Sequence, residues 1–145
     1  MSLYDRMLNI ANIDKESIIR KAIENTKSDL DGLEYERMCL VYNWYLYENL
    51  KDMSCLAYIV DTDDLEFHYK HRFVLVPDDD GNYYLADLTY KQFGTDDEVL
   101  NKLYNDGYEK IDNDKYNYYL NKVTGTNKDI TIDESLFREA KGLGK

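Results

Sequence analysis

The sequence predicts an α+β fold in which N-terminal helices pack on a small antiparallel β-sheet. Apolar residues recur at helical spacing in two stretches of the first fifty residues. Two runs of β-branched and aromatic residues then flank the turn sequence 78–82, a pattern typical of a β-hairpin. The 145 residues fit a single domain over 1–145, because no flexible linker divides the chain.

The two predicted helices occupy the N-terminal third of the chain. The first covers 13–30, because apolar residues alternate with charged ones near helical spacing, Asp14 is a suitable N-cap and Gly32 follows the end. The second runs from about Glu34 to Leu50. Its apolar face is so broad that we expect this helix at the centre of the core; the face contains Met38, Val41, Tyr42, Tyr45, Leu46 and Leu50.

The hairpin lies between shorter and less regular segments. Thr95 and Glu98 form a capping box for a short helix that ends near Tyr104. The stretch 114–123 fits a helix better than a strand. The other predicted elements are a strand over 55–60, an acidic loop over 61–66, an extended piece over 108–111 and a terminal helix over 133–141.

The alternation of side chains along the two strands of the hairpin predicts a histidine beside a carboxylate. Side chains alternate between the two faces of a strand, so the odd-numbered residues of each strand share one face. If the turn centres near Asp79, Leu75 opposes Tyr83 and His71 opposes Asp87. The carboxylate can then accept a hydrogen bond from one imidazole nitrogen, which fixes the tautomer and leaves the other nitrogen to act as a base. The alternative is a solvated pair at the end of a sheet.

Cys39 is the candidate nucleophile that such a pair activates. It lies in the first turns of the second predicted helix, where the N–H groups and the helix dipole favour a thiolate. The alternative is a small buried residue, the usual role of a cysteine outside a disulfide. Cys55 opens a predicted strand and is expected to be a packed thiol, although the sequence leaves a bridge between the two cysteines open. Together Cys39, His71 and Asp87 supply a nucleophile, a base and an orienting group.

The composition limits the classes of partner and site. With 29 acidic and 18 basic residues, net charge -11, and no basic cluster, the chain is not expected to bind nucleic acid. The pair His68 and His71 lacks the other ligands of a zinc site, and the turn 78–82 lacks those of a calcium loop, so we expect no metal and no cofactor. The 15 tyrosines indicate either an amphipathic contact surface or a compositional bias. Two cysteines, no secretory signal pattern and no membrane-spanning run predict a cytoplasmic protein.

Two sequence patterns accompany the three candidate residues. After the helix with Cys39 come His71-Arg72-Phe73-Val74-Leu75-Val76 and then Asp87-Leu88-Thr89-Tyr90-Lys91-Gln92-Phe93. With these patterns, H-x-[WF]-x-x-V and D-x-T-[YF]-x-Q-F, the chain resembles the transglutaminase-like branch of the papain-like cysteine enzyme superfamily over about 34–94. The resemblance implies a papain-like fold with Cys39 as nucleophile, His71 as general base and Asp87 as orienting group.

The resemblance also implies thiol chemistry on an acyl or amide group. Members of that group include transglutaminases, cysteine peptidases, peptide N-glycanases and, more distantly, arylamine acetyltransferases, so the implied substrate is a peptide or protein amide or acyl group. Leu40 stands where a small residue often follows the cysteine, and Leu88 stands where proline is usual. These departures leave open an inactive member of the same fold. A separate alternative is an unrelated α+β module that binds proteins through its acidic face. Tyr35 and the backbone N–H of Cys39 are the suggested oxyanion donors.

Overall fold

The computed structural model describes residues 14–32, 39–94 and 98–139, and for Cys39, Arg138 and Glu139 the backbone alone. None of the described helices is long and apolar enough to cross a membrane. The helices are α1 Lys15–Asp29, α2 Cys39–Asp52, α3 Asn101–Asp106 and α4 Asn113–Thr124, and the strands are β1 Tyr58–Asp61, β2 Arg72–Pro77, β3 Tyr83–Ala86, β4 Tyr108–Ile111 and β5 Arg138–Glu139.

The described strands form one antiparallel sheet in the order β4-β3-β2-β1-β5. Helices α1 and α2 pack against each other, and α2 also packs on β1 and β2. The structure therefore confirms the α+β class and the central position of α2, which belongs to the second predicted helix.

Helix α2 presents a continuous buried stripe to its neighbours. Asn43, Leu46, Tyr47 and Leu50 recur at intervals of three and four residues, and all four are fully buried. Tyr45, which the sequence placed on the apolar face, is 42% exposed because it lies on the other side of the helix. The polar member of the stripe, Asn43, is the one that contacts the functional residues described below.

The sheet is covered on both faces, whereas the sequence predicted only the layer of N-terminal helices. Even-numbered side chains of β2 and β3, such as Val74 and Tyr84, pack with α1 and α2. Odd-numbered side chains, such as Phe73 and Leu85, pack with α4 and the 3₁₀ turn Tyr90–Phe93. The sheet is thus the middle layer of three, and α4 brings side chains to the face that carries the odd-numbered residues.

The high tyrosine content belongs mainly to this core. Ring pairs such as Tyr90 and Tyr119, with centroids 5.6 Å apart, pack in tilted arrangements. The buried tyrosines are Tyr42, Tyr47, Tyr83, Tyr84, Tyr90, Tyr108, Tyr116 and Tyr119. Since so many of the described tyrosines are internal, their number does not indicate a contact surface.

The hairpin forms, but its register differs from the predicted one. Leu75 pairs with Leu85, whereas a turn centred at Asp79 had placed it opposite Tyr83. The turn contains the five residues 78–82, so its centre lies one residue later than predicted. The partner of each β2 residue therefore changes by two positions. Because two is the period of a strand, every side chain keeps its predicted face.

Predictions for the last third of the chain have different outcomes. Helix α4 confirms the preferred interpretation of 114–123, and Asp112 is its N-cap. The terminal helix over 133–141 is wrong, because Glu134–Leu136 form a single 3₁₀ turn and Arg138–Glu139 pair with β1 as an edge strand. The free edge of β1 offers backbone hydrogen bonds that a short isolated helix lacks. The capping box at Thr95 lies outside the described residues.

Gly107 forms the turn between α3 and β4 next to the end of β3. Its φ is +90°, and an added Cβ would lie 2.9 Å from Leu88 Cδ2. Gly107→Ala is expected to lower the free energy of unfolding by about 1–3 kcal/mol, as measured by urea unfolding, because left-handed strain and the contact add.

Gly32→Ala is the matched control for this variant. The φ of Gly32 is +88°, and no described atom lies within 4 Å of the added Cβ. The two substitutions therefore impose the same backbone strain and differ in the contact with Leu88. Equal losses of stability would mean that Leu88 moves aside at no cost.

Candidate active site

His71 and Asp87 meet at the end of the sheet, immediately beyond the β2–β3 ladder. His71 precedes β2, Asp87 follows β3, and both side chains are fully buried. His71 Nε2 lies 2.7 Å from Asp87 Oδ2. In the observed register the two positions are diagonal neighbours, which long side chains can still bridge. The predicted contact between imidazole and carboxylate is therefore present, and the alternative of a solvated pair is wrong.

The Asp87 carboxylate is held by donors from several elements. Its Oδ1 accepts from Asn43 Nδ2 at 2.9 Å and from the backbone N and the hydroxyl of Thr89 at 2.9 and 2.8 Å. Its Oδ2 accepts from Tyr119 Oη at 2.6 Å, beside His71. Burial by itself raises the pKa of Asp87, but the charge of His71 and the hydrogen bonds from His71, Tyr119 and Asn43 outweigh it and hold the pKa below its usual range. An ionised carboxylate thus orients the imidazole inside the core.

Asn43 connects the helix of Cys39 to the ends of the strands. Its Nδ2 donates to Asp87 Oδ1 and, at 2.7 Å, to the carbonyl of Arg72, while its Oδ1 accepts from Leu88 N at 3.0 Å. Asn43 was not among the site residues predicted from the sequence. The available signal was a polar residue on the apolar stripe of α2, four positions after the candidate nucleophile.

Tyr119 contacts the pair from α4, on the odd-numbered face of the sheet. Its Oη donates to Asp87 Oδ2 and lies 3.1 Å from His71 Nε2. The ring of Phe93 stands edge-on to the imidazole with centroids 4.8 Å apart. Tyr119 lies in the stretch 114–123 for which the sequence favoured a helix, but no sequence pattern showed that its hydroxyl reaches a carboxylate 32 residues away.

The backbone of α2 brings Cys39 to the same end of the sheet. Cys39 precedes Asn43 by four residues, about one helical turn. Arg72 Nη1 donates to the carbonyl of Leu40 at 3.3 Å, so the next residue of the helix is joined to the start of β2. The side chain of Cys39 and the whole of Tyr35, the suggested oxyanion donor, lie outside the described residues. The contact of the Cys39 thiol with the imidazole therefore stays a prediction.

Cys55 is a packed thiol, as predicted. It lies after α2 and is a free, buried cysteine, so the bridge to Cys39 that the sequence left open does not form. Burial raises the pKa of its thiol, and the charge of Lys15 only partly offsets this effect. Cys55 is therefore a suitable unreactive reference for Cys39.

The acidic loop near the site contains a cluster of carboxylates. Oxygens of Asp61, Asp63 and Asp64 lie within 4.8 Å of one another. Asp61, however, accepts hydrogen bonds from Arg72 at 2.7 and 3.1 Å, so one carboxylate of the three is already in an ion pair. His68 lies exposed before β2 and does not share the environment of His71. The cluster is best described as an ion-paired surface turn.

No protein-family model, no curated protein and no solved structure matches the chain. The transglutaminase-like resemblance therefore stays a prediction, and so do the catalytic roles of Cys39, His71 and Asp87. The geometry around the buried imidazole and carboxylate is the observation on which a functional proposal can rest.

Proposed function

We propose that this protein is a thiol-dependent hydrolase or acyltransferase that acts on an amide or acyl group of a peptide or protein. Cys39 is the nucleophile, His71 the general base and Asp87 the group that orients the imidazole. The observation that carries the proposal is the buried 2.7 Å contact between His71 Nε2 and Asp87 Oδ2. Ionisable groups are costly to bury, so a buried pair of this kind is typical of a functional site.

Two features of α2 support the assignment of Cys39. The sequence predicts that this helix begins near Glu34, so that Cys39 lies in its first turns, where the N–H groups and the dipole stabilise a thiolate and lower the pKa of a cysteine. Residues four apart also share one face of a helix, and Asn43, four residues after Cys39, donates to Asp87. The nucleophile position, the base and the orienting group thus converge on one end of the sheet.

The proposed reaction forms and breaks a thioester. His71 takes the thiol proton through Nδ1, since Nε2 faces Asp87, and the Cys39 sulfur forms a bond with the carbonyl carbon of the substrate. The bond from that carbon to the leaving amine breaks as His71 returns the proton to the amine. Water or a second amine then attacks the thioester carbon as His71 takes a proton from this attacking group. The carbon–sulfur bond breaks, and His71 returns that proton to the departing sulfur. Such a thiol remains reduced in a compartment like the cytoplasm.

An inactive relative of the same fold is the competing proposal, and one observation favours it. His71 is fully buried, and the cavity of about 120 Å³ that Asp87 and Leu88 help to line does not include His71 among its lining residues. In an inactive protein the pair would only join α2, the sheet and α4. The reactivity of Cys39 separates the two proposals.

Alkylation kinetics of the full chain test the proposal. Each cysteine is followed with iodoacetamide from about pH 5 to pH 9 by peptide mass spectrometry, because only the thiolate reacts. We expect Cys39 to react about tenfold faster than Cys55 near pH 6, and we expect His71→Ala to remove this difference. In urea the two thiols should react at similar rates.

His71→Gln is the matched variant, because its amide can still donate to Asp87 while it supplies no base. A thermal melt shows whether each variant is folded under the labelling conditions. If Cys39 reacts only after unfolding, or if its rate is the same in wild type and His71→Gln, the protein is not a His71-assisted thiol enzyme.

A further inference from the structure

The two oxygens of Asp87 have different kinds of partner. Oδ1 receives the amide of Asn43 and both donors of Thr89, which fix the position of the carboxylate. Oδ2 receives two groups, the imidazole of His71 at 2.7 Å and the hydroxyl of Tyr119 at 2.6 Å. A phenol and an imidazole therefore share the charge of one oxygen.

We propose that Tyr119 is a positioning residue for His71: its hydroxyl binds Asp87 Oδ2 and so limits the negative charge that the imidazole receives. The inference that this affects catalysis rests on the proposed function. A phenol keeps its proton at neutral pH and acts as a donor here, because a carboxylate only accepts. Each donor to a carboxylate disperses its charge, and in a buried site the effect on a neighbouring cation is large.

The other groups around the imidazole allow the effect of the Tyr119 hydroxyl on His71 to be measured separately from the effects of neighbouring charges. The ring meets Asp87 just after β3, Tyr119 on α4 and the uncharged ring of Phe93 in the 3₁₀ turn. The adjacent Arg72 is paired with Asp61 of β1. Cys39 is a further titratable group that the proposed function assigns to this end of the sheet, and Cys39→Ala as background removes it from the measurement.

Tyr119→Phe removes the hydroxyl and keeps the ring. Asp87 Oδ2 then offers its charge to His71 alone, so the protonated imidazole is stabilised. We expect the titration midpoint of His71, measured by NMR of the ring nuclei, to rise by about half a pH unit or more. We also expect the Nε2 proton signal to move downfield. This shift can be measured even if the imidazole does not change its charge over the pH range of the titration.

The chain supplies its own controls. Tyr116 lies on the same helix, is fully buried, and its hydroxyl has no hydrogen-bond partner among the described residues. Tyr116→Phe is thus the same chemical change without a donor to Asp87, and we expect the His71 signals to stay in place. The chain has two histidines, so His68→Gln assigns the signals, and the exposed His68 is an internal reference.

A second substitution at position 119 should shift the His71 titration midpoint in the opposite direction. It can be used even if Tyr119→Phe does not fold. Incorporation of 3-fluorotyrosine at position 119 makes the hydroxyl more acidic and a stronger donor, so the His71 midpoint should fall and its Nε2 proton should move upfield. Unchanged His71 signals with Tyr119→Phe, or shifts of the same sign with both substitutions, would overturn the inference.

The titration is independent of thiol reactivity, so the two proposals can fail separately. If the His71 signals move as expected and Cys39 proves unreactive, Tyr119 does position the imidazole and the proposed enzymatic function is wrong. If Cys39 is activated by His71 and Tyr119→Phe leaves both the signals and the pH profile of alkylation unchanged, the function stands and the role of Tyr119 is wrong.

Discussion

Asp87→Asn is expected to lower the free energy of unfolding by about 3–5 kcal/mol, because it removes the charge of a buried pair. The carboxylate accepts on both oxygens, whereas an amide places an NH₂ group against donors on one side or the other. The variant should also lose the His71-dependent reactivity of Cys39, since the imidazole is no longer fixed in one tautomer. Urea unfolding at neutral pH and the alkylation rate measure the two effects.

The same carboxylate makes stability depend on pH. The pKa of Asp87 in the folded protein lies below its usual range, so its contribution to stability is complete above the unfolded value of about 4. That contribution is lost as the pH falls through the lower, folded-state pKa, because Asp87 must then be protonated. The difference in unfolding free energy between wild type and Asp87→Asn should therefore shrink as the pH falls below about 4.

Asp112→Asn is the control for Asp87→Asn. Asp112 is exposed and accepts from the backbone N of Lys115 as the N-cap of α4, a role that Asn performs equally well. The same change from carboxylate to amide should leave the unfolding midpoint nearly unchanged there. Equal losses of unfolding free energy in the two variants would mean that the network around Asp87 stabilises the protein no more than an exposed N-cap does.

The contact between His71 and Asp87 was predictable from the sequence because it depends more on which face of its strand each residue occupies than on the exact pairing register. The centre of the hairpin turn was placed one residue too early, and each β2 residue acquired a partner two positions away from the predicted one. An error of two preserves the face of every residue. A bulge of one residue in the turn would have moved the pair to opposite faces.

The groups that surround the pair were not predictable in the same way. Asn43 and Tyr119 lie on helices, and helical periodicity shows which residues face inward without showing which strand end they meet. The edge strand β5 depends on the free side of β1, a tertiary feature that no local pattern near residue 138 contains. Local patterns thus predicted the elements, and the contacts between distant elements required the structure.

Asn43→Ala is expected to reduce both stability and the reactivity of Cys39. The substitution leaves Leu88 N and the carbonyl of Arg72 without their side-chain partner, which should lower the free energy of unfolding by about 2–3 kcal/mol. It also removes the link between α2 and Asp87. If this link sets the distance from Cys39 to His71, the His71-dependent acceleration of alkylation should fall about tenfold or more, since small misplacements of reacting groups have large effects on rate.

Asn49→Ala separates the two effects because it removes a second amide from the same helix. Asn49 Nδ2 donates to Thr26 Oγ1 at 2.9 Å and to Asp29 at 3.3 Å, so it joins α2 to α1 rather than to the strand ends. We expect this variant to lose stability and to keep the fast alkylation of Cys39. A similar loss of reactivity in both variants would indicate that α2 responds as a whole to destabilisation. A loss confined to Asn43→Ala would indicate that its amide places the Cys39 end of α2 against His71 and Asp87.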